Sequence, residues 1–439
     1  MASMQLRNER SEPSERLYFM EIVLDRLSHF AGGSMTRLLF NFVNRPPPIG
    51  PSGGMLYSAY SYLFAAKRPD TPAPSPVADK SALLFLILAN QNPKHFANEF
   101  KEAIKRLEDT KVSAATTITS GDDATLDVSF RQIYQALSST VASEESCLIL
   151  YPLLVHNRSF RTYIMSRSDP ESFVLPVLKT IYEFSEQKGN FPHLYMLLTM
   201  LLLLSQDADF LDGIQKITIQ SHTWYTERVV KSIPLSGLCM LVLIRMVQNN
   251  LATHKDVYCH SLCTAILANL SHRVLGLNSV VSQRIVSFYE LIAKRYLKLT
   301  NNRGSSENLQ SATPWKAEPG ETDFDTLIYG DLVALLLEMI NSIVCLNLKH
   351  NPELVYALLQ KRGAFGPFRE MPRFRDLVEN IDKVIAHFHK KLEETDLKIL
   401  STGDVGEVID RATKTWSSSS LKVRAKGPGP PQTLPHFSL

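Results

Sequence analysis

The 439-residue chain is 44% hydrophobic, and its 47 lysines and arginines nearly balance 44 aspartates and glutamates, for a net charge of +3. That is ample material for a large core, and the near-neutral balance carries no global signal for nucleic acid, where a strongly basic domain is expected. Five cysteines, an odd number set in apolar stretches, read as buried free thiols of a reducing compartment and not as a disulfide framework.

The N-terminus, MASMQLRNERSEPSERL, has no apolar core, so no secretory signal is expected, and residues 1–35 read as a polar segment with one helix. Residues 36–300 then carry helical patterning interrupted by linkers at 45–54 (RPPPIGPSGG) and 68–79 (RPDTPAPSPVAD), where proline forbids helix interior. Residues 82–93 (ALLFLILANQNP) and 263–272 (CTAILANLSH) echo each other as apolar helices ending in Leu-Ala-Asn, with asparagine suited to a left-handed cap. The β-branched residues 112–119 lie in a polar stretch and read as loop. Asn157-Arg-Ser and Asn269-Leu-Ser match the glycosylation sequon incidentally.

Asp169-Pro170-Glu171 and Asn351-Pro352-Glu353 place a capping side chain, a first-turn proline and an acid at predicted helix starts. Pro176 is expected to bend its helix or to mark a later start. The apolar run at 194–204 is shorter than the ~20 residues a bilayer requires. The run at 332–348 is interrupted by Glu338 and Asn341; both read as buried helices, and no transmembrane helix is expected. Residues 283–297 and 377–392 are amphipathic helices; in the second, Leu377, Val378, Ile381, Val384, Ile385, Phe388 and Leu392 form one stripe. Residues 301–323 read as a disordered insertion, 324–416 as continued helix, and 417–439 as a disordered tail with little to bury. Helices that each carry one apolar face must stack, which predicts an all-α, armadillo/HEAT-like α-solenoid.

No phosphate loop, nucleophile elbow or HExxH motif is present, so no enzyme, cofactor or small-molecule substrate is expected. His254, Cys259, His260 and Cys263 are the best metal candidates, but Cys259 and Cys263 share one helix face while His260 points elsewhere; two buried thiols are the simpler reading. His387 and His389 flank Phe388 and read as solvated-face residues. In KRGAFGPFREMPRFR, residues 361–375, Lys361, Arg362, Arg369, Arg373 and Arg375 interleave with Phe365, Phe368 and Phe374. The favoured reading places the phenylalanines in the core and the basic groups in solvent; such a pattern can also bind nucleic acid, but the functional reading preferred is a contact with an anionic membrane or a protein partner.

Several stretches resemble the dymeclin family: RLLFNFVNRPPP, FRTYIMSRSDPESFVLPVLKTIY, HTWYTERVVKSIPLSGLCMLVLIRMVQNN, CHSLCTAILANLS, and a long final one from LLLEMINSIVCLNLKHNPELVY to RDLVENIDKVIAHF. The resemblance runs from about Thr36 to about Leu397. It implies a helix-rich, non-catalytic cytoplasmic protein, peripherally associated with the Golgi and working with partners of the trafficking machinery in Golgi organisation. It carries no catalytic or ligand residues over. The competing class is an armadillo-type adaptor for peptide cargo in nuclear transport or signalling; the three tryptophans, Trp224, Trp315 and Trp416, are not periodic and count against it. Relatives are expected to be longer at the N-terminus and often to begin Met-Gly for myristoylation; here the second residue is Ala2.

Overall fold

The computed structural model describes residues 31–44, 75–91, 98–110, 129–185, 191–220, 224–228, 230, 232–306, 321–395, 402–417 and 421–422, and most of them are helical. Two units meet between Arg167 and Ser168.

In the first unit, helix α1 (Ala31–Val43) buries Met35, Leu39 and Phe42, spaced as one helical face, and packs on α2 (Pro76–Ala89). Pro76 opens α2, and the hydroxyl of Ser75 accepts the Ala78 N–H. The end of the expected linker 68–79 is therefore a helix start, because proline loses nothing in a first turn. Residues 45–54 and 112–119 lie outside the described residues.

Helix α3 (Glu99–Arg106) is capped by Asn98, whose Oδ1 accepts the Phe100 and Lys101 N–H groups at 3.0 and 3.1 Å. The same side chain donates to the carbonyls of Leu88, Ala89 and Gln91, tying off the end of α2. After α4 (Phe130–Ser139) and α5 (Glu144–His156), Asn157 repeats the device. It caps α6 (Arg158–Met165) by accepting the Phe160 N–H and donates at 2.7 Å to both Ile104 and Leu107 carbonyls. Asn157 is fully buried.

The second unit begins with α7 (Glu171–Phe184), whose N-cap falls on Pro170, one residue after the expected Asp169; the Asp169 and Pro170 carbonyls accept from its first turn. Pro176 sits inside α7, because Phe173, Val174, Val177 and Leu178 continue the buried stripe across it. Helices α8 (Phe191–Ser205) and α9 (Ala208–Lys216) follow. An unanticipated two-residue antiparallel ladder then pairs β1 (Thr218–Ile219) with β2 (Ile233–Pro234). Glu227, in the intervening loop, anchors it to Arg245 at 2.6 Å and Arg284 at 3.0 Å.

Next come α10 (Leu235–Thr253), α11 (Val257–Ser271), α12 (Ser279–Ser306) and α13 (Glu321–Leu346). These bounds correct the expected insertion at 301–323: its flanks belong to α12 and α13, while 307–320 lie outside the described residues. Asn269 does not end its helix as expected. Its amide donates to Ser205 Oγ at 3.0 Å and α11 runs on to Ser271. Asn90, the other expected left-handed cap, has φ −101°.

Helices α14 (Pro352–Gln360), α15 (Arg375–Glu393) and α16 (Thr402–Thr415) complete the unit. The predicted stripe of α15 is buried from Leu377 to Phe388. Each helix here packs chiefly on helices one to three places away in chain order. The tail differs from expectation at two residues: Leu421 is buried, and Lys422 pairs with Asn380 of α15 through its main chain.

Candidate interaction surface

Residues 361–374 connect α14 to α15, and Gly363, Gly366 and Pro367 keep them out of regular α-helix. Two 3₁₀ turns, Arg362–Ala364 and Gly366–Phe368, take their place. The spacing of Phe365, Phe368 and Phe374 brings all three rings inward, each at most 1% exposed. Phe365 stacks on Tyr289 of α12 at 4.7 Å and 10°. Phe368 meets Phe374 edge-on at 5.4 Å, and Tyr296 contacts both. Gly330 of α13 makes room for that cluster: a Cβ there would lie 3.1 Å from the Tyr296 ring.

The basic residues divide. Lys361 pairs with Glu290 of α12 at 2.9 Å, and hydrogen bonds from Lys294 and Lys361 hold that carboxyl below its ordinary pKa. Arg369 forks onto Asp382 of α15 at 2.7 and 2.9 Å, in the bidentate geometry that suits a guanidinium. Arg373 donates to Asp331 of α13. Arg362 and Arg375 are exposed and form no salt bridge among the described residues. Thus Lys361, Arg369 and Arg373 fasten the connection to three helices, and only Arg362 and Arg375 present unneutralised charge. Sequence reasoning missed the acids Glu290, Asp331 and Asp382, which lie far along the chain or on a face read only as solvated. It also missed a shallow groove of about 420 Å³ along α15, lined by Arg369, Arg375, Val378, Glu379 and Lys383 among others.

The metal candidates do not converge. Cys259 and Cys263 lie on α11, the His260 ring faces Asn250 at 3.4 Å, and His254 packs edge-on against Phe191. No group of three or more metal-ligating side chains occurs among the described residues. All five cysteines are buried and free, and burial pushes the Cys239 thiol up to about 12 and those of Cys147 and Cys263 well up too. His387 is not simply solvated: it lies half-buried, 4.7 Å from the Trp416 ring, and burial lowers its pKa.

Among the described residues, two helices, Leu235–Thr253 and Phe324–Leu346, are long and apolar enough by length and composition to cross a membrane. In this fold 78% and 61% of those stretches are buried by other parts of the protein.

The family model described as "Dymeclin: Dyggve-Melchior-Clausen syndrome protein" matches residues 1–427. The chain belongs to the dymeclin family. The match is wider at both ends than the resemblance read over residues 36–397. Among similar proteins, dymeclin of Gallus gallus is 33% identical over 91% of this chain and 65% of its own length. Dymeclin of Rattus norvegicus is 32% identical over 93% and 64%, and that of Drosophila melanogaster 32% identical over 79% and 49%. The chain therefore spans about 60–65% of the length of the vertebrate dymeclins it matches. No solved structure matches it.

Proposed function

We propose that this chain is a non-catalytic scaffold, an armadillo/HEAT-like α-solenoid of stacked helices, which sits peripherally on the cytoplasmic side of the Golgi and acts in Golgi organisation and vesicle trafficking. The family match over residues 1–427 carries this reading. The near-neighbour packing of the helices supports the solenoid, since stacked units bury faces that none could bury alone. Buried free thiols suit a reducing compartment. Its partners in this reading are proteins of the trafficking machinery, with an anionic membrane surface as a second contact. A tagged full chain should co-localise with Golgi markers and be released from membranes by high salt without detergent. A diffuse or nuclear pattern would overturn the reading in favour of a peptide-cargo adaptor.

Of the five basic residues in 361–375, Arg362 and Arg375 are the ones that form no salt bridge among the described residues and so are available for a membrane contact. At about 1 kcal/mol per basic residue near an anionic surface, the double change Arg362→Glu, Arg375→Glu should weaken partitioning to phosphatidylserine vesicles by about tenfold or more. Unchanged partitioning of the folded variant would remove these residues from the contact.

A further inference from the structure

Lys422, which follows α16 in the chain, is held against α15 as a residue of a bound peptide would be. Asn380 is 1% exposed. Its Oδ1 accepts the Lys422 N–H at 2.9 Å, and its Nδ2 donates to the Lys422 carbonyl at 2.9 Å. One carboxamide thus reads both polar groups of a single backbone residue, which requires nothing of that residue's side chain. The remaining Nδ2 hydrogen goes to Asn341 of α13 at 2.8 Å, so the amide is oriented from within the helical core. Selectivity comes from the flanks. Leu421 is buried, and the Lys422 ammonium lies 2.7 Å from Glu379 and 3.6 Å from Asp376.

We propose that this face of α15 is a docking site for an extended peptide with an apolar residue followed by lysine, presented by a partner protein, and that Leu421–Lys422 occupies it in cis as an exchangeable internal ligand. The occupant already in place defines the chemistry: a backbone clamp, a buried apolar position and two carboxylates around an ammonium. The site is preorganised, because Asn380 is fixed by Asn341 whichever segment it holds. The contact is also replaceable. Lys422 keeps a side chain 58% exposed, and exposed ion pairs of this kind contribute little. The internal segment holds its place largely through the millimolar effective concentration of a tethered ligand. The groove along α15 adjoins Glu379 and offers a longer peptide further surface. This inference does not depend on the compartment proposed above.

The test uses a fluorescent synthetic peptide of residues 417–427 (SSSSLKVRAKG) and the full chain. The peptide should bind the Leu421→Asp, Lys422→Glu chain at least tenfold more tightly than the unaltered chain, whose own segment competes. Adding Glu379→Lys and Asp376→Lys, the first half-buried and the second exposed, should weaken binding severalfold, and replacing the peptide's leucine by glutamate should abolish it. Should the doubly altered chain fail to fold, Lys422→Glu alone, at an exposed side chain, serves the same comparison. No binding to a folded variant with a disabled internal segment overturns the proposal, as does equal binding of the leucine-to-glutamate peptide. Concentration-dependent dimers that ignore added peptide would assign the site to a second copy and overturn it equally.

Discussion

Replacing Asn351 by alanine should destabilise the second unit by about 3–5 kcal/mol. Asn351 is fully buried at the start of α14, where the sequence predicts a helix cap. Its side chain makes no cap bond. Instead Oδ1 accepts the Leu277 N–H at 2.9 Å, and Nδ2 donates to the Val274 and Asn347 carbonyls at 3.1 and 2.8 Å. The turn between α11 and α12 is thereby fixed to the turn before α14. Alanine leaves the Leu277 N–H and Val274 carbonyl buried without these partners, and each orphan costs roughly 1–3 kcal/mol. Urea unfolding followed by helical circular dichroism reads the loss, and hydrogen exchange at Leu277 should accelerate with it. A shift below about 1 kcal/mol would mean that the two turns hold together without Asn351.

Phe368→Ala should cost about 3–5 kcal/mol, as large-to-small changes in well-packed cores do. Phe368 touches Tyr289, Tyr296 and Phe374 and is fully buried, so its loss leaves a cavity and removes an edge-to-face contact as well. The connection between α14 and α15 should then open to trypsin at Arg369 and Arg373. Phe368→Leu, which keeps most of the volume, should recover much of the stability. This experiment separates the two readings of the basic-aromatic segment. If the rings served to stack on a ligand, alanine would spare stability, and a melting temperature unchanged by Phe368→Ala would revive that reading.

What was legible in the sequence is what a helix can encode within a few turns. The stripe from Leu377 to Phe388, the inward phenylalanines of 361–374 and the buried thiols all follow from local spacing and apolarity. What was illegible depends on partners distant in the chain. The segment KRGAFGPFREMPRFR looks strongly cationic, yet Glu290 and Asp331 neutralise Lys361 and Arg373 from separations of 71 and 42 residues, and no local pattern announces them. Asparagine side chains were misread for the same reason. Asn269 and Asn351 look like ends of helices, and Asn380 carries no local signal at all. Each instead uses its carboxamide to join segments that meet only in the folded chain. The short β1–β2 ladder escaped because two residues per strand carry no alternation to detect.

The burial of Asn157 bears on which side of a membrane this fold can form. Asn157-Arg-Ser is a chemically competent acceptor for an N-linked sugar, and such sugars are attached to chains entering the secretory lumen. A sugar on that nitrogen would replace one of the hydrogens donated to the Ile104 and Leu107 carbonyls and would force a large polar group into a fully buried position. A copy translocated and glycosylated at Asn157 could not close α6 against the end of α3. The first unit therefore carries a built-in penalty against export, independent of any address at either end of the chain.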